Sequence, residues 1–505
     1  MKKILTLIFA VICAVGATAK DYVSNIAVIA NGMAAESSRK PIEVTEQTSL
    51  ILGKKTYTLA LKDFSLVMDG STLEIGDIEV TGIGSSVDAD GNTVLHADKT
   101  IFVSIIALGG ATLPVPIVLN GTINKDDVLE VRLDIALAGQ EVIVAISSEA
   151  FQIPNSDFEA FHTEPMGGNT AEEPNHWHSF MSCTGDYAST VSSVIHTFQE
   201  MTELRPNTTG TKSVKVVSGK VMGIAVANGT ITTGRLKAGS MTPASSENCT
   251  FLDLGNTDTD ANGDPFYTVM RAMPDSLAVW VKFKQGTPSA KYPYASVNAV
   301  ITDGTYFQDP QGGDNFVAQA QNAKIESKDF VWQRISCPFV YKDNGLTPRA
   351  ILATITTNPQ PSQASGEDVL YVDDLELIYN SHLTDIKLDG TSLPGFKPNC
   401  YEYTVADLDT GKLSFEGSRG KRIFTYHDTE QKVYTIICYA QDLMTSSTYK
   451  INYTGSISAI RIEEAQPAEP AVVGTYNLAG QRVPQNAKGI VITRYSDGSS
   501  VKTVR

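Results

Sequence analysis

The sequence predicts an all-β protein built from several consecutive β-domains. Apolar and polar residues alternate with a period of two in almost every ordered-looking stretch, whereas helical periodicity is scarce. Turn-forming Gly, Pro, Asn and Asp residues separate these stretches at short intervals. A chain of 505 residues corresponds to three or four domains at roughly 100–200 residues per domain. We therefore expect a series of barrels and sandwiches.

The N-terminus has the features of a secretory signal peptide over residues 1–19. Lys2 and Lys3 precede an apolar run, and the small residues at 17–19 predict cleavage before Lys20. The apolar run is too short to cross a bilayer, and no later stretch is long and apolar enough to do so. We therefore expect a secreted protein in the periplasm, on the outer-membrane surface or outside the cell.

The chain is acidic, which argues against nucleic acid as a partner. Its 40 basic and 56 acidic residues give a net charge of −16. Removal of Lys2 and Lys3 with the signal peptide changes this to −16 − 2 = −18. A phosphate backbone would be repelled by such a protein. The charge instead suits neutral ligands and cations.

Residues 21–148 are predicted to form a β-barrel. The stretch VLEVRLDIALAG places Leu129, Val131 and Leu133 on one face, with Glu130 and Arg132 opposite. Together with YTLALKDFSL and IGDIEVTGIG, it resembles the calycin-like β-barrel domain of secreted Bacteroidetes proteins. The wider calycin group includes lipid-binding barrels, so the resemblance implies that a lipid or other apolar ligand is conceivable. The alternative is a barrel filled by its own side chains.

Residues 151–380 are predicted to form a jelly-roll β-sandwich, since strands alternate here with long loops. In order, NSDFEAF, HWHSF, LAVWVKFK, WQRISCPFVY and LYVDDLELIY resemble the carbohydrate metabolism domain (PCMD) of Bacteroidetes. That family is similar to jelly-roll carbohydrate-binding modules. The resemblance implies a carbohydrate partner for this domain.

Three shorter segments complete the chain. Residues 381–455 alternate and resemble the immunoglobulin- or cadherin-like β-sandwich spacers of secreted bacterial glycan-handling proteins. Residues 456–473 are rich in Pro, Ala and Glu, which is typical of an extended linker. Residues 474–505, with YNLAGQRV and KGIVI, resemble the small C-terminal β-domains that direct export or surface attachment in Bacteroidetes.

A buried carboxylate is predicted within VLYVDDLELIY. Regular alternation places Asp373 in an apolar row with Tyr371 and Leu375. Asp157 and Glu159 lie in the first strand of the same domain, and the first and last strands of a jelly roll are commonly adjacent. Carboxylates that meet repel each other, and a Ca²⁺ ion bound through oxygen ligands removes that difficulty.

Calcium at these positions is also what the resemblance implies, because jelly-roll carbohydrate-binding modules often carry a structural calcium where the two ends meet. The matching positions are Glu159 and Asp373, with Asp157 as a further ligand. The alternative is that Asp373 accepts hydrogen bonds from backbone N–H groups or pairs with an Arg.

Aromatic and polar residues in the second domain are the candidates for contact with a sugar. In SLAVWVKFK, Trp280 is expected on the polar face of its strand. In EEPNHWHSF, extended backbone would place His176 and His178 on one face and Trp177 on the other, with Tyr187 nearby. Packing in the core is the alternative for each. A His-x-His pair can also hold zinc, but no further ligand spacing supports a metal here.

These features predict a secreted, non-catalytic glycan-binding protein of the bacterial envelope that contributes to polysaccharide capture. One alternative is a glycosidase on the central domain, although the sequence contains no nucleophile motif and no catalytic residue is assigned. A second alternative is a structural or adhesive envelope protein with a lipid-binding barrel.

Overall fold

The computed structural model confirms the all-β class. The residues that it describes, on which every statement below rests, are 16–48, 55–68, 71–106, 109–137, 139–166, 169–194, 197–287, 291–310, 312–455, 472–477, 482–484, 488, 490–495 and 500–504. Most of the predicted signal peptide and of the predicted linker lies outside these ranges. None of the helices within them is both long and apolar enough to span a bilayer.

The first domain is a closed barrel. Eight strands follow one another around the sheet, and β1 pairs with β9 to close it, while the short β2 only extends β1. The strands are β1 Gly16–Ala30, β2 Met33–Ala34, β3 Ser38–Thr48, β4 Lys55–Met68, β5 Ser71–Val87, β6 Thr93–Ile105, β7 Ala111–Ile123, β8 Leu129–Leu137 and β9 Gln140–Ser147.

Apolar side chains fill the barrel interior. Leu129, Val131 and Leu133 of β8 are buried in it, as the sequence predicts. They pack against inward residues of the other strands, such as Leu59 and Ile83. Because side chains alternate across each strand, the same strands present polar residues to the outside.

The second domain is a β-sandwich with two main sheets. One has the order β12-β13-β27-β20-β24, and the other has the order β16-β26-β21-β23-β25 with β19 beside β26. A three-stranded sheet, β17-β18-β22, and two hairpins, β10-β11 and β14-β15, complete the domain. Its elements are β10 Phe161–Met166, β11 Asn169–Pro174, α1 Ala188–Val191, β12 Thr197–Glu200, β13 Ser213–Val217, β14 Gly219–Val221, β15 Ala225–Ala227, β16 Thr230–Thr232, β17 Arg235–Ala238, β18 Asn248–Leu252, β19 Thr268–Val269, β20 Ser276–Lys284, β21 Ala295–Thr302, β22 Phe307–Asp309, β23 Phe316–Ile325, β24 Gln333–Pro338, β25 Val340–Tyr341, β26 Ala350–Thr356, the 3₁₀-helix Pro361–Gln363 and β27 Val369–Ile378.

A β-bulge changes the predicted facing of the last strand of this sandwich. Asp373 pairs with Trp280 and Glu376 pairs with Ala278, so β27 carries an extra residue between these pairs. Asp374 at the bulge has a φ of 42°. Regular alternation is therefore lost. Leu370 joins the core, whereas Tyr371 and Asp373 lie on the outer face with Trp280, so the apolar row that the sequence predicts for Asp373 is wrong.

The third domain pairs a three-stranded sheet, β29-β28-β31, with a four-stranded sheet, β30-β34-β33-β32. It packs against the outside of the barrel, where Phe424 and Tyr439 contact Ala27 and Ile29. Its elements are β28 Leu383–Leu388, β29 Thr391–Ser392, β30 Glu402–Val405, the 3₁₀-helix Thr410–Lys412, β31 Leu413–Gly417, β32 Arg422–Asp428, β33 Val433–Tyr439 and β34 Ser446–Tyr453.

The C-terminal segment forms a separate four-stranded antiparallel sheet with the order β36-β35-β37-β38. Its strands are β35 Val472–Asn477, β36 Arg482–Val483, β37 Ile490–Tyr495 and β38 Ser500–Val504. The chain is thus a series of β-units, and the sandwich between residues 151 and 380 contains all of the sequence-predicted site residues.

Candidate functional site

Asp373 is buried at the junction between the first and last segments of the sandwich. Asp373 is 1% exposed. Next to it, Leu375 N donates to Ser156 O at 2.8 Å, and this hydrogen bond holds the first and last segments side by side. Asp373 Oδ1 accepts from Asp374 N at 2.9 Å, while Oδ2 has no hydrogen-bond partner. Burial, followed by the charge of Asp374, raises the pKa of Asp373 to about 7.

The other two predicted calcium ligands have different surroundings. Glu159 Oε1 accepts from Thr211 N at 2.7 Å and Lys212 N at 3.0 Å, and Oε2 accepts from Thr211 Oγ1 at 2.7 Å. Asp157 is exposed. Glu159 is close enough for its charge to contribute to the raised pKa of Asp373. Protein donors thus already contact both Glu159 oxygens. Calcium at this position stays a prediction.

Trp177 is a core residue rather than a sugar platform. It is fully buried, its ring lies 5.1 Å from that of Phe158, and its Nε1 donates to Pro154 O at 3.3 Å. The assignment of Trp177 to a ligand surface is therefore corrected. The cause is local: Trp177 N donates to Pro174 O and His176 has a φ of 64°, so the chain turns here instead of running extended.

The same turn separates the two histidines that the sequence places on one face. The half-buried His176 faces Asp264, with Nδ1 3.1 Å from Oδ1. The His178 side chain is fully buried and packs on Phe266, with ring centroids 4.5 Å apart. His178 cannot contact a large ligand, so its assignment to a glycan surface is also corrected.

His178 instead borders a buried cluster of ionisable groups. We define the acid–histidine cluster as His162, Glu164, Glu173 and Asp260, whose ligand atoms all lie within 4.8 Å of one another. His162 Nε2 is 3.3 Å from Glu164 Oε1 and 3.4 Å from Asp260 Oδ2. His178 Nε2 is also 3.4 Å from Asp260 Oδ2.

Two structural elements assemble this cluster. In the β10–β11 hairpin, His162 pairs directly with Glu173, and Glu164 lies two residues further along the same face. Asp260 comes from the loop between β18 and β19, and Ala261 N donates to Glu164 Oε1 at 2.7 Å, which ties that loop to the hairpin.

The surroundings of the cluster shift its pKa values in opposite directions. Burial opposes charging of His162, but the carboxylates of Glu164 and Asp260 outweigh it and raise the pKa of His162 to about 9. Burial raises the pKa of Glu173. Burial also acts to raise the pKa of Asp260, but the neighbouring His178 and the Asp264 backbone N–H outweigh it and lower that pKa.

Tyr187 and Trp280, the remaining predicted ligand residues, lie in separate places. Trp280 is half-buried on the outer face of β20, where the Arg205 guanidinium lies 5.7 Å from the centre of its ring. Tyr187 lines a cavity of about 490 Å³ on the outer face of the six-stranded sheet. We call this cavity the sheet cleft.

The floor of the sheet cleft is polar and its wall is apolar. Hydroxyl and amide side chains on the sheet form the floor, and the wall includes Tyr187 and Val221. The principal polar lining residues are Asn228, Thr230, Thr250, Ser296, Asn298, Asp309, Gln321, Thr354 and Thr356. The sequence pattern did not identify these residues, because polar residues on the outer face of a strand are also what a solvated sheet requires.

Hydrogen bonds between neighbouring strands fix the orientation of the floor. Thr250 Oγ1 and Thr354 Oγ1 are 3.1 Å apart. Asn298 Nδ2 donates to Asp309 Oδ2 at 2.8 Å, and its Oδ1 accepts from Gln319 Nε2 at 2.9 Å. Burial raises the pKa of Asp309, and the Asn298 hydrogen bond opposes that shift.

Comparisons with known proteins do not identify a family for this chain, so its function has to be inferred from the site residues described above. No family model and no curated protein matches the chain. One solved structure that matches is the M60 catalytic domain with the CBM51-1 and CBM51-2 domains of ZmpB from Clostridium perfringens, at 10% identity and a TM-score of 0.16. The alignment covers 96% of this chain but only 44% of that one. A TM-score this low does not establish a common fold.

Proposed function

We propose that the protein binds a neutral glycan in the sheet cleft and does not turn it over. The observation that carries this proposal is the composition of the cleft, in which a fixed floor of hydroxyl and amide groups faces an apolar wall. Its volume of about 490 Å³ falls within the range of about 300–1,000 Å³ that is usual for small-ligand sites. Sugars present both hydroxyl groups and apolar C–H faces, which such a cleft can match.

The floor retains hydrogen-bonding capacity after its internal bonds are made. A threonine hydroxyl offers one donor and two acceptor positions, and an amide offers two donors and an acceptor. The bond between Thr250 and Thr354 and the bond from Asn298 to Asp309 use part of that capacity. Because these bonds already hold the side chains in place, a ligand would pay little entropy to order them.

The preference for a neutral glycan follows from charge. Asp309 and Lys237 give the cleft lining one acidic and one basic side chain, so the net charge of −16 on the chain as a whole decides the preference. A polysaccharide rich in carboxylate or sulfate groups would be repelled during approach. Neutral hydroxyl groups can instead donate to the Asp309 carboxyl and to the floor amides.

The number of carboxylic acids in the cleft lining favours binding without hydrolysis. Among the described lining residues, Asp309 is the one carboxylic acid. Most glycosidases need two carboxyl groups flanking the scissile bond, one as acid and one as base or nucleophile. Glu164 and Glu173 belong to the enclosed cluster, so they do not supply the second one.

We place this activity in the bacterial envelope or outside the cell. The support is the basic and apolar N-terminal sequence with its small-residue cleavage site. The likeness of the sequence to envelope carbohydrate-binding domains is consistent with a role in polysaccharide capture.

Glycan-array binding by the chain that begins at Lys20, followed by calorimetry with the best neutral ligand, tests the proposal. Asp309→Asn keeps the shape of the side chain, and Tyr187→Ala removes an aromatic side chain from the cleft. We expect each variant to weaken binding by at least about tenfold, which corresponds to about 1.4 kcal/mol. Trp280→Ala is the matched control and should leave affinity unchanged.

The possible outcomes separate the candidate functions. Binding that is lost in the cleft variants supports the proposal. Release of reducing sugar would replace it with a hydrolase. The absence of binding to any glycan, or binding that Trp280→Ala abolishes and the cleft variants do not, would rule out the sheet cleft as the site.

A further inference from the structure

We propose that the acid–histidine cluster is a closed binding site for one divalent transition-metal ion of the Zn²⁺ type. The ligands would be His162 Nε2, Glu164, Glu173 Oε2 and Asp260 Oδ2, with His178 bordering them. This inference concerns a different part of the sandwich from the sheet cleft, and it does not depend on glycan binding.

Unsatisfied polar atoms inside the cluster point to a missing positive partner. Glu173 is fully buried, and its Oε2 has no hydrogen-bond partner. The Asp260 side chain is also fully buried, and its Oδ2 is likewise without a hydrogen bond. The enclosed His178 supplies no such partner by a hydrogen bond, because its Nε2 lies 3.4 Å from Asp260 Oδ2 without hydrogen-bond geometry. Buried polar atoms are normally paired, and unpaired ones cost free energy that a bound ion would recover.

The second atom of each principal ligand is already held by the protein. Asp260 Oδ1 accepts from Asn262 N at 2.9 Å and Asp264 N at 2.8 Å. Glu173 Oε1 accepts from Ser179 N at 2.6 Å and Ser179 Oγ at 2.5 Å. These bonds fix both carboxylates, so that each directs one free oxygen into the cluster, as outer partners do in metal sites.

His162 is oriented by a similar contact. Its Nδ1 lies 3.1 Å from Asn175 Oδ1. An amide oxygen is an acceptor, so it selects the tautomer that carries a proton on Nδ1. When His162 gives up its Nε2 proton, as a metal ligand must, the lone pair of Nε2 is directed towards Glu164 and Asp260. A metal-bound histidine almost always makes such a bond through its other ring nitrogen.

The chemistry of the donor set selects the class of ion. One imidazole nitrogen and three carboxylate oxygens suit Zn²⁺ and related transition metals, whereas Ca²⁺ prefers oxygen ligands alone. Four ligands match the tetrahedral coordination of zinc, with bonds of about 2.0–2.2 Å. The ligand atoms lie within 4.8 Å of one another, and the most separated of them would have to approach by about 1.4 Å to reach that geometry.

Burial assigns the ion a structural role. The side chains of His162 and Glu164 are 7% and 6% exposed, so the site has no opening for a substrate. Structural zinc sites are closed in this way, whereas catalytic sites keep a position for water. The ion would join the β10–β11 hairpin to the loop that carries Asp260, and it would balance carboxylates that otherwise repel one another.

Metal analysis of the purified full chain tests the site. After chelator treatment and dialysis, Zn²⁺ titration by calorimetry should show one ion per chain, and thermal unfolding should shift upwards when Zn²⁺ is restored. Glu173→Gln and Asp260→Asn preserve shape and remove a ligand charge, and each should weaken Zn²⁺ binding by more than about tenfold. His176→Ala, which changes the half-buried histidine outside the cluster, is the matched control and should bind Zn²⁺ normally.

A second measurement keeps the test valid if a variant fails to fold. Co²⁺ bound to the unaltered chain should give the visible absorption of a tetrahedral site with nitrogen and oxygen ligands, and Zn²⁺ should displace it. The inference is overturned if the unaltered chain binds neither ion, in which case a protonated His162 balances the carboxylates. It is also overturned if folded Glu173→Gln and Asp260→Asn bind Zn²⁺ as the unaltered chain does, or if the cluster prefers Ca²⁺ to Zn²⁺.

Discussion

Arg422 and Glu130 form a two-point ion pair between the third domain and the barrel. Arg422 Nη1 lies 2.6 Å from Glu130 Oε2, and Nη2 lies 3.0 Å from Oε1. Ser147 Oγ also donates to Glu130 at 2.5 Å. With the apolar contact of Phe424 and Tyr439 against the barrel, this pair makes the third domain a docked unit rather than a free spacer.

The Arg422–Glu130 pair should contribute measurably to stability. The side chains are only 27% and 35% exposed, and paired guanidinium–carboxylate bonds are stronger than single contacts. A double-mutant cycle with Arg422→Gln and Glu130→Gln should give a coupling energy of about 1 kcal/mol in urea unfolding.

An exposed ion pair within the barrel is the control for that cycle. Lys62 and Glu43 are 65% and 37% exposed, and their coupling should be below about 0.5 kcal/mol. Equal coupling energies for the two pairs would show that docking of the third domain does not depend on Arg422.

Asp373 should make the sandwich less stable as pH rises. Its pKa is about 7 in the folded chain against an ordinary value of 3.8, so the folded state keeps a proton that the unfolded state releases. The stabilisation is complete below about pH 4 and is lost as pH rises towards 7. In the presence of a chelator, the unfolding midpoint should fall across this interval, and Asp373→Asn should remove that part of the fall.

Calcium provides the contrasting measurement at the same position. If Ca²⁺ binds Asp373 with Glu159, adding it at pH 8 should raise the unfolding midpoint, and Asp373→Asn should abolish the rise. A midpoint that calcium does not change at pH 8, combined with the predicted pH dependence, would show that Asp373 is satisfied by a proton and not by calcium.

The sequence predicts the fold well because alternation is a local property. The period of two identifies the strands, and it correctly places Leu277 and Val279 in the core with Trp280 on the opposite face. Asp373 is buried beside the opening segment, as the domain order suggests, but on the outer face opposite Trp280 and not in the apolar row. The bulge at Asp374 was not predicted, since an acidic residue with positive φ leaves no distinct pattern in the sequence.

The acid–histidine cluster shows what sequence spacing cannot supply. His162, Glu164 and Glu173 are close in the chain, but Asp260 is nearly a hundred positions away, and only the folded loop brings it to them. The sequence did draw attention to the segment through His176 and His178. It assigned the wrong geometry because it treated a turn as extended backbone.

The N-terminal prediction has a structural test. Strand β1 begins at Gly16 and pairs with β3 from Thr48 onwards, so cleavage before Lys20 would shorten it by four residues. Residues 17–20 are exposed, and the buried row of β1 begins at Tyr22. Chains that begin at residue 16 and at residue 20 should therefore have nearly the same unfolding midpoint.

Mass spectrometry of the protein recovered from the bacterium that produces it checks the predicted cleavage site itself. The mature N-terminus should be Lys20. A midpoint that drops by several degrees when residues 16–19 are removed would mean that these residues belong to the folded barrel, and it would argue against cleavage at that position.

Truncation of Trp177 should destabilise the sandwich much more than truncation of Trp280. Trp177 is fully buried and lies against Phe158, so Trp177→Ala opens a cavity in the sandwich core and should cost about 3–5 kcal/mol in the free energy of unfolding. Trp280 is half-buried on the outer face of the sheet, beside Arg205. Trp280→Ala should therefore cost less than about 1.5 kcal/mol.

Trp177→Phe separates volume from hydrogen bonding in the core. It keeps an aromatic ring against Phe158 but removes the bond from Nε1 to Pro154 O, so its cost should lie between those of the two alanine variants. Urea unfolding measures all three. If Trp280→Ala destabilised the chain more than Trp177→Ala, Trp280 would have to make packing contacts on the outer face of the five-stranded sheet beyond the one with Arg205. The use of Trp280→Ala as the control for glycan binding would then fail as well.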